Sequence, residues 1–378
     1  MDSDIVPGEW IVTFKPYANE AIENEHISYI NDRNSEPGTH FDCRVGDRFC
    51  LPELRGYSAK FDDETKAELE QRAEVATIEP LQIYRHCANL QRDAPWGLAR
   101  ISTRARLPAN GPYEYRYDST GEGTVAYVID TGINDAHEDF EGRASKGAKF
   151  VSRGPARDDD VNGHGTHVAG TIAGKTYGVA KRAEVVGVKV FNDLPLPGAT
   201  TGDIIRALQW VVEEAEKHGK PSVANMSLGG GPSDAMDRAV ASTVRSGVVV
   251  CVAAGNSGQP ADDGSPAREP LAITVGATDI QDAVASFSNW GQVLDIFAPG
   301  VAIQSAWIRS TTANRTISGT SMATPHVTGT VCCLLGQQRL EPLMVMPQLQ
   351  AWADKNKLSN VPDRTINALV QVSDNTTV

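Results

Sequence analysis

Three short blocks carry the reactive side chains of this 378-residue chain, in a fixed order. They are Asp130-Thr131-Gly132, Gly163-His164-Gly165-Thr166-His167 and Gly319-Thr320-Ser321-Met322-Ala323. A serine hydroxyl is a weak nucleophile until a neighbouring imidazole takes its proton. The imidazole in turn needs a carboxylate to fix its tautomer and stabilise its charged form. An acid, a base and a hydroxyl, each wrapped in small residues, are the ingredients of acyl transfer through a covalent intermediate. Asn256 adds a fourth: it follows an apolar run and Gly255, where its amide can donate to an oxyanion beside the Ser321 backbone N–H.

Each block also has a plainer reading. Ser321 alone is an N-cap and Asn256 alone a turn residue. His164-x-x-His167 has zinc spacing, but neither a Glu base nor an obvious third ligand accompanies it. Asp-Thr-Gly also marks paired-carboxylate chemistry, yet no second Asp-Thr-Gly or Asp-Ser-Gly occurs. The stretch 170–176 looks like a phosphate loop, but Ala169 stands where its first glycine belongs.

The elements that must position these residues follow from periodicity. Apolar runs at 125–129, 185–190, 223–226, 248–253 and 272–275 read as strands buried on both faces. Ile204, Ile205, Leu208, Val211, Val212 and Ala215 recur at helical spacing, and helices are expected from His164 to Gly174 and from Ser321 to about Gly336. Pro325 falls early in the last of these, where proline is tolerated. Strands alternating with helices predict an α/β fold, a parallel central sheet flanked by helices, with ligands at the strands' C-terminal ends. Asp130 sits at such an end.

The first quarter of the chain differs. Residues 9–15 and 56–61 alternate as half-buried strands, 62–72 is helical and charged, and 74–80 reads as a last strand, giving a small N-terminal α+β domain. Residues 1–88 hold 18 acids and 9 bases against 30 and 26 in 89–378, so most of the formal charge of −13 lies in the first part. The expected domains are therefore 1–88 and 89–378. No basic stripe suits nucleic acid and no apolar run suits a membrane span, so neither partner is expected. Met1 leads into Asp2-Ser3-Asp4 without a basic start or an apolar h-region, so no signal segment is read here. Cys251 lies in an apolar run and reads as a buried free thiol, and Cys332 and Cys333 point apart on one helix. Cys43 and Cys50 are a candidate pair.

From Ala94-Pro95-Trp96-Gly97-Leu98 to about Asn367 the chain resembles the subtilisin-like serine peptidases, in their proteinase K-like branch. The resemblance rests on Tyr127-Val128-Ile129-Asp130-Thr131-Gly132, Tyr177-Gly178-Val179-Ala180-Lys181, Ser227-Leu228-Gly229-Gly230-Gly231, Ala253-Ala254-Gly255-Asn256 and the run from Ile317 to Val327. It implies a serine endopeptidase with Ser321 as nucleophile, His164 as base, Asp130 orienting it, and Asn256 in the oxyanion hole. Ser227, Leu228, Gly229 and Gly230 would pair with an extended peptide substrate, and the uncharged lining at Gly229, Ala254 and Gly255 implies apolar or aromatic residues before the cut. Pro197-Gly198-Ala199-Thr200-Thr201 departs from the family's opposite wall. Residues 1–88 would be an inhibitor propeptide, the chain's own partner, with its tail at Tyr84-Arg85-His86-Cys87-Ala88 and cleavage near Ala88-Asn89. A structural Ca²⁺ would be held by Pro270, Ala272 and Asp295, while Lys357 stands in place of a second site's carboxylate. The resemblance implies a monomer and secretion, under which Asn314-Arg315-Thr316 and Asn375-Thr376-Thr377 become glycosylation sequons. A narrow-specificity intracellular processing peptidase and a non-catalytic peptide binder remain as alternatives.

Overall fold

The computed structural model describes residues 5–36, 41–82, 89–194 and 198–373. The chain divides into two compact units, Met1–Cys87 and Ala88–Val378.

The first unit runs β1 (Ile5–Phe14), α1 (Glu20–Asn34), β2 (Arg44–Leu51), β3 (Leu54–Lys60), α2 (Asp63–Leu69) and β4 (Val75–Gln82). Its antiparallel sheet has the order β2-β3-β1-β4. Alternation along β1 buries Val12 and Phe14 against Ile30 of α1, Tyr57 of β3 and Leu69 of α2. Both helices start on a side-chain cap: Asn19 accepts from the Ile22 N–H and Asp62 from the Thr65 N–H. Helix α1 is absent from the sequence reading because its buried face carries Glu23 and His26 beside Ile30. The candidate Cys43–Cys50 pair does not form, and both thiols are free. Seven residue steps of largely extended chain separate them, roughly 23 Å, against about 7 Å that a disulfide spans.

The second unit begins with β5 (Asn89–Gln91), α3 (Trp96–Arg100) and β6 (Tyr115–Tyr117), then β7 (Val125–Asp130), β8 (Ala144–Lys149), α4 (His164–Ala173) and β9 (Glu184–Lys189). It continues through α5 (Thr201–His218), β10 (Ser222–Met226), α6 (Asp234–Arg245), β11 (Val248–Ala253), β12 (Ile273–Thr278) and β13 (Ile296–Pro299). The hairpin β14 (Ile303–Ala306) and β15 (Asn314–Ile317), the helices α7 (Thr320–Gln337) and α8 (Pro342–Trp352), and the short strands β16 (Asp354–Lys355) and β17 (Ala368–Leu369) complete it. The main sheet has the order β16-β17-β13-β12-β11-β10-β7-β9-β8, with β16 antiparallel to its neighbour and the remaining pairs parallel.

Every residue of β7, β10, β11 and β12 is buried, as the apolar runs predict. Along β7, Ala126 and Val128 join the core containing α4 and α7, while Val125, Tyr127 and Ile129 join the core containing α5 and α6. The strand order reverses at β7: the chain passes to the edge strand β8, comes back to β9 beside β7, and crosses to β10 on the other side of β7. Such a switch point opens a crevice at the carboxyl ends of the strands. Asp130 ends β7, Ser227 follows β10 and Asn256 lies just past β11, so all three sit on its rim.

Candidate active site

Asp130 is fully buried, and its Oδ1 accepts from the Thr131 N–H at 2.7 Å. Its two carboxylate oxygens lie 2.8 and 2.9 Å from Nδ1 of His164, the first residue of α4. The proton is therefore held on Nδ1, leaving the Nε2 lone pair to act as base. Burial works against an imidazolium here, but the Asp130 charge and hydrogen bond, with the charge of Asp160 behind them, more than offset it. The His164 pKa lies above its ordinary value.

Helix α4 starts at Gly163, which offers no capping side chain. Asp160 does that work from three residues earlier. Its carboxylate accepts from the N–H groups of Asn162, Gly163 and Thr166 at 3.1, 2.8 and 3.0 Å, and from the hydroxyls of Thr131 and Thr166 at 2.9 and 2.6 Å. Thr131 Oγ1 accepts in turn from the Gly165 N–H. The turn after β7 and the start of α4 are thus tied through one buried acid. Gly165 permits the closeness: a Cβ there would lie 2.2 Å from the Gly132 carbonyl oxygen and 3.2 Å from Asp130 Cβ. The sequence reading missed Asp160 because it ends the run Asp158-Asp159-Asp160, which reads as a solvated turn. The missing cap at Gly163 was the available signal.

Ser321 is the second residue of α7 and half-buried. Its hydroxyl donates to the Ser227 carbonyl at 3.3 Å, and the Ser227 hydroxyl donates back to the Ser321 carbonyl at 2.9 Å. No hydrogen bond joins Ser321 to His164 among the described residues, so the structure brings together acid and base but leaves the hydroxyl turned to the cleft wall. Such bonds commonly tighten only around substrate. Pro325 sits in the second turn of α7, not its first. Lacking an N–H, it leaves the Ser321 carbonyl without the usual i−4 donor, and Ser227 supplies the replacement.

The Asn256 Oδ1 accepts from the Thr320 N–H at 2.8 Å and the Thr320 hydroxyl at 2.9 Å, which fixes the amide so that Nδ2 remains to donate. A Cβ at Gly319 would lie 3.6 Å from both Asn256 Nδ2 and the Ser321 backbone nitrogen. Both donors therefore lie close to one point beside Gly319, two residues before Ser321, and an oxyanion needs such a pair. Asn289, also missed, braces the loop: it accepts from the N–H groups of Ser257 and Gln259 and donates to the Ala254 carbonyl.

Among the expected cleft residues, Ser227 is buried, Leu228 is half-buried, and Gly229 and Gly230 are exposed. Gly230 pairs with Ser265 through N–H to carbonyl bonds at 2.9 and 3.2 Å, so the wall is backed on one side. Ala254 is buried and Gly255 half-buried, neither bringing charge. Pro197 and the segment Tyr84–Ala88 lie outside the described residues.

Among the proposed metal ligands, Asp295 accepts from the Thr274 N–H at 2.8 Å, and no Lys, Arg or His among the described residues forms an ion pair with it. Burial pushes its pKa up to about 6. Pro270 is exposed and Ala272 buried, and both precede Thr274 closely in the chain. A half-buried carboxylate whose one hydrogen bond shown is from the Thr274 N–H is the kind of oxygen donor a hard cation such as Ca²⁺ takes. No group of three His, Cys, Asp or Glu side chains that could hold a metal occurs among the described residues. No described helix is long and apolar enough to cross a membrane.

Comparison with known proteins identifies the family. Residues 121–363 match the family model described as the subtilase family, a class of peptidases. The chain is 43% identical over 371 residues to alkaline protease 1 of Aspergillus clavatus, covering 95% of this chain and 90% of the relative. It is 45% identical over 336 residues to subtilisin-like protease 2 of Pseudogymnoascus destructans, covering 88% and 81%. A crystal structure of a cold-adapted subtilisin-like serine proteinase superimposes with a TM-score of 0.68 at 46% identity, covering 74% of this chain and 99% of the other.

Proposed function

This chain belongs to the subtilase family and is a subtilisin-like serine peptidase, and from that premise we propose that Ser321, His164 and Asp130 carry its chemistry, with Asn256 in the oxyanion hole. The Ser321 hydroxyl attacks the peptide carbonyl as His164 Nε2 takes its proton, and Asp130 stabilises the resulting imidazolium. Asn256 Nδ2 and the Ser321 N–H hold the oxyanion. His164 then protonates the leaving amine, and water hydrolyses the acyl-enzyme by the same route in reverse. The observation that carries this reading is the pair of contacts from Asp130 to His164 Nδ1, together with two donors close to one point beside Gly319.

The substrate backbone adds as a strand to the exposed edge at Leu228-Gly229-Gly230. The uncharged lining at Gly229, Ala254 and Gly255 favours apolar or aromatic residues before the cut. Residues 1–88 act as an intramolecular inhibitor of a zymogen, released by cleavage near Ala88-Asn89; the compact first unit, with its own core, supports this. Asp295 and the carbonyls of Pro270 and Ala272 would hold a Ca²⁺, which would brace the chain between Pro270 and Asp295.

The test is the intact mass of the purified protein beside Ser321→Ala, with a fluorophosphonate label on each. Self-cleavage near Ala88 in the wild type alone, and labelling in the wild type alone, are expected. Absence of label on a folded wild type would overturn the nucleophile assignment and favour the peptide-binder alternative. Cleavage of both proteins alike would overturn autoprocessing. A peptide-library digest confined to one sequence would replace broad specificity with a dedicated processing role.

A further inference from the structure

Helix α7 carries one histidine. His326 is 1% exposed, and its Nδ1 donates to the Met322 carbonyl at 2.8 Å. Burial, only partly offset by that bond, pulls its pKa down to about 4, so the ring is neutral near pH 7 with its lone pair on Nε2. No donor among the described residues reaches that nitrogen. Nε2 faces the α-carbon of Gly97, where an added Cβ would approach to 2.5 Å.

Beside it lies a cavity of about 150 Å³, walled by Trp96, Gly97, Tyr177 and Ile303 and opening past Gln304 and Thr316, which are exposed on β14 and β15. Two aromatic rings and an aliphatic side chain line part of it, polar atoms expose about as much of its wall, and His326 gives it one acceptor that no described group meets. A space of this size suffices for a single aromatic ring. A ligand that donates to that acceptor gains beyond its apolar burial.

We propose that this cavity is a binding site for a small neutral aromatic hydrogen-bond donor of the phenol class, its ring between Trp96 and Tyr177 and its O–H donated to His326 Nε2. The site lies within the second unit and does not use the residues proposed for catalysis. Its failure would leave the peptidase reading intact.

The test uses the full chain carrying Ser321→Ala, to prevent self-digestion, titrated with phenol and with anisole, which has the ring but no donor. Thermal unfolding and tryptophan fluorescence are followed. Phenol should bind with Kd below about 1 mM and raise Tm, with anisole about tenfold weaker. Thr316→Leu, which fills the mouth from an exposed strand position, should abolish the phenol response while leaving the ligand-free Tm unchanged. Trp96→Phe should remove the fluorescence change but keep the Tm shift. An equal response to phenol and anisole would overturn the role of His326. A phenol response surviving Thr316→Leu, or none at 10 mM, would overturn the site.

Discussion

Five donors converge on the Asp160 carboxylate, and all five belong to the turn after β7 or the start of α4. Asp160→Asn keeps the shape but removes the charge that these N–H and O–H groups face. Hydrogen bonds to a charged group contribute more than neutral ones, so a loss of about 2 kcal/mol is expected in urea unfolding. Asp160 also helps to raise the His164 pKa. The acid limb of the kcat/KM–pH profile should therefore move to lower pH in this variant, by no more than about one unit. A purely structural Asp160 would leave the limb in place. For Asn256→Ala the expected loss is about 10²–10³ in kcat with KM little changed, the known effect of removing an oxyanion donor in this family. The acid, base, hydroxyl and amide are legible in sequence because their chemistry restricts residue type. Asp160 and Asn289 act through position alone, and an Asp in an acidic turn or an Asn before a Trp carries no mark of that.

The elements are legible to the degree that burial is two-sided. Strand β11 matches its apolar run, β7 and β10 extend theirs by a single residue at an end, and β9 is shifted from its run by one residue. Helix α1 was missed because polar residues supply its buried face. Within that face His26 lies 2.6 Å from Glu74 and 2.9 Å from the Tyr57 hydroxyl. Burial first, and the nearby Arg72 charge, lower its pKa, against the raising effect of Glu74. An unfolded histidine titrates near 6.5, so between that pH and the lower folded value the unfolded chain binds the extra proton. The first unit should therefore lose stability as pH falls below about 6.5, and His26→Gln should flatten that dependence; thermal unfolding of the Ser321→Ala chain at pH 8 and pH 5.5 checks this. For α4 the sensitive position is Gly165. An alanine there forces the helix away from Gly132 and with it His164 from Asp130, and a displacement near 1 Å costs about 10² in rate. Single-turnover kinetics on Gly165→Ala would show it, and wild-type kcat would count against this packing.

Over the whole molecule, charge separates the two parts of the chain in sequence, while the packing of each part does not show there. A Ca²⁺ held by the half-buried Asp295, as proposed, would stabilise the second unit: at 100 times its Kd, binding would add about 2.7 kcal/mol. Chelation should lower Tm, Asp295→Asn should remove that sensitivity, and an equal chelator effect on both proteins would place the ion elsewhere. The order of strands in the sheet also governs when the protein can cut. Ser321 follows Asp130 by 191 positions, and the wall and amide that complete the crevice come from β10 and β11, between them in the chain. At 5–20 residues per second, roughly 10–40 s of synthesis separate the acid from the nucleophile. Until α7 leaves the ribosome and packs against the sheet, the growing polypeptide carries every ingredient of proteolysis but the last. A ribosome making this protein holds a harmless chain through most of its synthesis.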